Sequence, residues 1–205
     1  MKKNNLSKLS DKNPPGTLFL MSDFLKDYMV DPTLKKEVLS WIHEGKIERY
    51  SYGIYFFKGA KSPTALDAIR LRYIERNGKV YGFFSGKAFL NILKGKAISP
   101  KDNKLEIVSN LATSGRKSVS MFNENFILRK PYVKIDKYNV SLVSFLTYIS
   151  SAPTSEIEEN LSTLSNYVRQ EHLSATNLSS LISRFPAKTF SKLLKTDLYR
   201  SFWKH

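Results

Sequence analysis

Gly82-Phe83-Phe84-Ser85-Gly86-Lys87 is the stretch of this sequence that comes nearest to a phosphate-binding loop. Such a loop, G-x-x-x-x-G-K-[ST], cradles phosphates with backbone amides and holds magnesium with the residue after its lysine. Here only three residues separate the glycines and Ala88 follows the lysine, so the glycines are expected to serve a tight strand-to-helix turn. A metal-dependent nuclease would need carboxylates clustered around a scissile phosphate. Asp102 with Glu106, and Asp67 with Glu75, each share a segment, but neither pair brings a matching lysine signature. Glu156, Glu158 and Glu159 open a helix, where carboxylates suit the dipole in any case. His43, His172 and His205 are scattered and there is no cysteine, which excludes disulfides, thiol catalysis and cysteine-based zinc sites. No catalytic residue, metal site or cofactor is expected, and the chain does not read as an enzyme.

What the composition does support is the binding of anions. The 205 residues hold 33 Lys and Arg against 18 Asp and Glu, a formal charge of +15. Nucleic acid, an anionic membrane surface or an acidic protein are the partners that such a balance suits. The excess is uneven: +4 over residues 1–61, +9 over 62–150 and +2 over 151–205. Lys35 and Lys36, with Thr33 beside them, stand near the start of one expected helix. Arg49, Tyr50, Ser51 and Tyr52 form the tip of an expected hairpin. Lys2 and Lys3 read equally as an arm on phosphates or as a frayed terminus. Arg72 and Arg76, expected one turn apart on a helix, are followed by Lys79, Lys87, Lys94 and Lys96. These read as a second phosphate-contacting surface or as solubilising charge.

The elements that position these residues follow from local signals. Leu6 and Leu9 suggest a short first helix ending before Pro14-Pro15. Ser22 caps a helix SDFLKDYM, and Asp31-Pro32 restarts the chain as cap and first helical residue. Leu34, Val38, Trp41 and Ile42 then recur at helical spacing, and Gly45 suits a left-handed terminus. Lys46 to Lys58 turns β-rich, KIERY and IYFF around a bend at Ser51-Tyr52-Gly53. Helix, turn, helix, hairpin is the plan of a winged helix-turn-helix, whose second helix can enter a major groove while the hairpin lies on the backbone. The alternative is a helix–hairpin module that only packs against a neighbour.

The domain expected from 1 to 61 ends at a hinge, Lys58 to Pro63, with a second domain from 62 to 205. Ser62 caps and Pro63 opens a helix to about Arg76, which Asn77-Gly78 ends. KVYGFFSG reads as strand and turn, AFLNILKG as a helix, and LEIVSN, SVSMF and NFILRKPYV as strands, with a turn at Asn123-Glu124-Asn125. From Asn139 the pattern is helical. SLVSFLTYI breaks at Ala152-Pro153; Ser155 with Glu158 makes a capping box for a helix carrying Ile157, Leu161, Leu164 and Val168. NLSSLISRF and AKTFSKLLK follow. The expected class is α+β: an N-terminal winged helix-turn-helix, then a mixed α/β domain ending in helices.

Taken in order, PPGTLF…SDFL, EGKIERYSYGIYFF, SPTALDAIRLRYI, VYGFFSGKAFLNILKG, LEIVSN, FILRKPYV and ISRFPAKTFSKLLK resemble the AbiEi-type antitoxins of type IV toxin–antitoxin systems, which act in abortive phage infection. The resemblance spans nearly the whole chain, and its motifs are structural rather than catalytic. It implies a bacterial protein with two jobs. The winged helix would bind inverted repeats of double-stranded DNA in its own promoter and repress transcription. The C-terminal domain would counteract a nucleotidyltransferase-like toxin without forming a stable complex with it. Carried onto this sequence, recognition falls to Thr33, Lys35 and Lys36, and the wing to Arg49, Tyr50, Ser51 and Tyr52; no family motif marks the residues of antitoxicity. With no apolar leader in the first residues and no run long enough for a membrane span, a cytoplasmic protein is expected. Two rival readings remain open: an RNA-binding protein, and a module that sequesters a toxin directly.

Overall fold

The computed structural model describes residues 15–23, 32–59, 62–99 and 105–203, with the side chains of residues 32–35 excepted. It is α+β and forms two compact units, 1–72 and 73–205. The expected helix through Leu6 and Leu9 lies outside the described residues, as do residues 24–29 of SDFLKDYM and the cap Asp31; residues 21–23 are already helical, so Ser22 stands inside the helix rather than capping it.

In the first unit, Leu18–Leu20 forms a strand, β1, that periodicity did not suggest. Its short apolar run is buried at every position, so no alternation betrays it. Helix α1 spans Pro32–His43. It stops as expected: Gly45 has φ +68° and donates to Ile42 O at 3.1 Å, while Lys46 N donates to Trp41 O at 2.9 Å. This Schellman arrangement satisfies carbonyls that the helix end leaves over. Strands β2 (Ile47–Ser51) and β3 (Ile54–Phe57) form the hairpin, with a bulge between Arg49 and Ser51 and Gly53 in the left-handed region. The sheet order is β1-β3-β2, antiparallel throughout. Phe19, Val38, Ile47 and Phe57 make a small core, lined by Trp41, Ile42 and Tyr55.

Helix α2, Ala65–Ile69, is capped by Thr64 rather than Ser62. Thr64 Oγ1 accepts from Asp67 N at 3.2 Å and Asp67 Oδ2 accepts from Thr64 N at 2.9 Å, a reciprocal box that Ser62 has no partner to match. The helix continues as a π-helical turn, Arg70–Ile74, and does not reach Arg76. Glu75–Arg76 (β4) pairs instead with Lys79–Val80 (β5), so Asn77-Gly78, both at positive φ, turns a hairpin rather than ending a helix.

In the second unit, β6 (Gly82–Ser85) leads into α3 (Lys87–Leu93); β7 (Glu106–Ser109), β8 (Arg116–Met121) and β9 (Glu124–Arg129) complete a sheet of order β6-β7-β9-β8, in which β7 and β9 run parallel. The turn before β9 is Phe122-Asn123, one residue earlier than expected, because both residues take positive φ. Helix α4 (Val140–Ser151) is buried continuously from Leu142 to Ser150 and packs on β6. Around it lie α5 (Thr154–Glu159), α6 (Leu161–Gln170), α7 (Ala175–Ile182), α8 (Ala187–Lys195) and a terminal 3₁₀ turn, Leu198–Trp203. The capping box of Ser155 with Glu158 does not form: Pro153 is the cap residue, and Ser155 already lies in the first turn. The single helix through Val168 is broken at Asn160, whose buried amide donates back to Glu156 O at 2.7 Å. Ile157 and Leu164 still reach one core from either side of the break.

Candidate nucleic-acid interface

The expected wing is a hairpin whose base and tip hold their charges differently. At the base, Lys46 sits 2.5 Å from Glu44 and 5.8 Å from the Trp41 ring, and Lys58 pairs with Glu48 at 2.9 Å. The Lys46 and Ser40 side chains hold the Glu44 carboxyl below its usual range, and Glu48 raises Lys58. These lysines are neutralised locally. At the tip, the Arg49 guanidinium lies 5.6 Å from the centre of the Tyr52 ring, and its Nε donates to Ser51 O at 3.4 Å. Tyr52 is 82% exposed and Arg49 is exposed, while Tyr50 and Ser51 are half-buried.

The local cause is the two-residue turn at Tyr52-Gly53. Register places Arg49 opposite Tyr55, on the sheet face that Ile47 and Phe57 share. Nearer the base that face packs against α1; Arg49 itself is exposed, and its guanidinium lies over Tyr52. A guanidinium over an exposed ring contributes about 0.5–1 kcal/mol. It presents a planar cation and an aromatic plate together, which suits phosphates and exposed bases alike.

Lys36 is exposed on α1; Thr33 and Lys35 lie on the same helix with their side chains outside the description. Lys2 and Lys3 lie outside the described residues. Arg72 is half-buried in the π-helical turn of the first unit. Arg76 belongs to the second unit, in β4, with its guanidinium 5.0 Å from the Tyr81 ring, so the two arginines do not share a helical face. Lys79, exposed, stands opposite Arg76 in the ladder, and Lys87, exposed, opens α3. The second unit thus spreads its candidates over separate elements.

Two cationic features escaped the sequence reading. Arg116 and Lys117 are exposed at the start of β8, an edge strand expected to begin only at Ser118. Lys137 lies 4.8 Å from the ring of Tyr138, which is 86% exposed. The second repeats the cation-and-tyrosine pattern of the hairpin tip, and the dipeptide Lys137-Tyr138 was its visible signal.

The phosphate-loop look-alike has a packing explanation. A Cβ on Gly82 would stand 2.4 Å from Val108 O and 2.5 Å from Tyr73 O, so no other residue fits there. Gly86 precedes α3 at φ +59°, ψ −136°, a region essentially confined to glycine. A Cβ there would lie 3.7 Å from Glu106 Oε2. The turn therefore faces a carboxylate of its own chain, which Arg116 and Arg129 approach at 3.4 and 3.5 Å. Among the described residues no group of three His, Asp or Glu stands where it could hold a metal ion, and no helix is long and apolar enough to cross a membrane. Comparison of the chain with protein-family models, with curated proteins and with solved structures returned no match.

Proposed function

We propose that this chain is a sequence-specific, double-stranded DNA-binding autorepressor whose N-terminal unit works as a winged helix-turn-helix, and that it serves as the antitoxin of a type IV toxin–antitoxin system. The observation that carries the DNA reading is the hairpin tip: Arg49 stacked on an exposed Tyr52, above a base whose lysines are already paired. Strand, helix and hairpin follow in the order a winged helix needs, and the helix before the hairpin carries exposed Lys36. In this reading α1 enters the major groove with Thr33, Lys35 and Lys36, and Arg49 and Tyr52 meet the adjacent backbone. The antitoxin role rests on the sequence resemblance, with the toxin opposed through its effect rather than through a stable complex. Two copies on an inverted repeat would match the symmetry of the site.

The exposed rings of Tyr52 and Tyr138 favour a second reading, single-stranded RNA, because unpaired bases stack on such plates. One experiment separates the two: gel shift and footprinting on the DNA upstream of the gene, against an unrelated duplex and an RNA with single-stranded loops at several salt concentrations. A protected inverted repeat, at least about a thousandfold tighter than the unrelated duplex, is expected. Binding without sequence preference, or tighter to RNA, overturns the repressor reading.

A further inference from the structure

Helix α8, Ala187–Lys195, has two faces with different owners. Inward, Thr189 and Leu193 are buried, and Lys192 turns its ammonium onto the end of α4, donating to Ile149 O at 3.2 Å, Ser150 O at 3.3 Å and Ala152 O. A cation on the last carbonyls of a helix complements its dipole. Outward, Phe190 is 44% and Leu194 45% exposed. At about 100° per residue, Phe190, Leu194 and Ala187 fall in one stripe, with Lys195 and Lys188, both exposed, together on its flank. The terminal turn, Leu198–Trp203, packs on α8 and leaves Trp203 62% exposed. Along the chain, exposed Arg184 precedes α8 and exposed Arg200 follows it, the latter 3.4 Å from Asp197.

An apolar stripe with a one-sided cationic flank selects among occupants. A second copy laid antiparallel across a twofold axis would set Lys188 of each helix against Lys195 of the other. DNA would use the lysines but has no use for Phe190, Leu194 and Trp203, since phosphates supply most of its affinity. A bilayer needs a broad apolar face, and the other face of α8 is committed to the core. An acidic amphipathic helix satisfies both halves of the surface: apolar side chains at i, i+4 and i+7 meet the stripe, and carboxylates meet the lysines. The geometry points to α8, with Trp203, as the docking site for an acidic amphipathic helical segment of a partner protein. Duplex binding by the N-terminal unit is not required for it.

The test uses the full chain and a labelled acidic peptide with leucines at i, i+4 and i+7, followed by fluorescence polarisation. Controls are the same peptide with serines for leucines, the same peptide with lysines for its acidic residues, a DNA duplex, and phosphatidylserine vesicles. The acidic amphipathic peptide alone is expected to bind. Phe190→Ser with Leu194→Ser, both solvent-exposed and therefore compatible with folding, should weaken it about tenfold or more. Lys188→Glu with Lys195→Glu should do the same and transfer preference to the lysine peptide. No binding of the acidic peptide, equal binding by all variants, or a stripe-dependent affinity for vesicles or duplex instead would overturn the assignment. Circular dichroism of each variant establishes that the helices are intact.

Discussion

The two units bury themselves by different means. The second is organised around α4, whose side chains are buried from Leu142 to Ser150 and reach sheet and helices at once. Phe145 stacks on Tyr167 with centroids 6.1 Å apart and meets Phe202 edge-on at 5.7 Å. In the first unit, of the described side chains of α1 only Val38 is buried, and the helix meets the three-stranded sheet through Phe19, Ile47 and Phe57, with Trp41 edge-on to Phe57 at 5.8 Å. A helix enclosed on all sides has no route to close a cavity, whereas a helix with an open face can relax into one. The lesson extends to charge: the hairpin of the first unit pairs its lysines and exposes Arg49 over Tyr52, while the second unit distributes cations over its outer elements.

Truncating one residue type in both places breaks the comparison most sharply. Ile149→Ala, in the middle of α4, should destabilise by about 4–5 kcal/mol, and Ile47→Ala, at the hairpin base, by about 2–3 kcal/mol. Urea unfolding with amide exchange on α4 and β3 measures both; equal losses would mean that the packing beneath α1 is as rigid as the core around α4.

Alkaline pH sharpens the comparison next. Burial first, then the hydrogen bond to Glu156 Oε1 at 2.9 Å, push the Tyr148 phenol well above its usual value, and burial also raises Tyr167. Unfolded phenols lose their proton near pH 10. Above that pH the unfolded state binds fewer protons than the folded one, so stability present at neutral pH is lost as pH rises toward the folded values. Tyr148→Phe should flatten this loss in the exchange of α4; an unchanged slope would remove Tyr148 from it.

The smallest effects concern the hairpin itself. Arg49→Ala should weaken duplex binding about three- to tenfold and lower the salt slope by about one. Lys58→Ala, losing only a surface pair, should leave binding unchanged. Equal losses in the gel shift would mean that base and tip contribute alike.

Much of the fold was legible because its causes are local. Gly45, the hairpin around Tyr52-Gly53 and the helix from Ala187 to Lys195 each depend on signals within one or two turns of chain. The tip residues Arg49 to Tyr52 were legible for the same reason. β1 was not, because a strand buried on both faces carries no alternation. Nor was the break at Asn160, which depends on an amide finding a carbonyl while Ile157 and Leu164 converge on one core.

By itself, then, the sequence determined the basic surplus, the absence of thiol chemistry, the stop at Gly45, and the runs that become the hairpin over residues 47–57 and the helices from Val140 onward. These follow from composition and nearest neighbours along the chain. Only the tertiary structure decided that Gly82 must be glycine, because Val108 and Tyr73 carbonyls close on it from elsewhere in the chain. It also decided that Lys192 faces α4 while Lys188 and Lys195 face solvent. All three are lysines of one helix, and only the position of α4 distinguishes them.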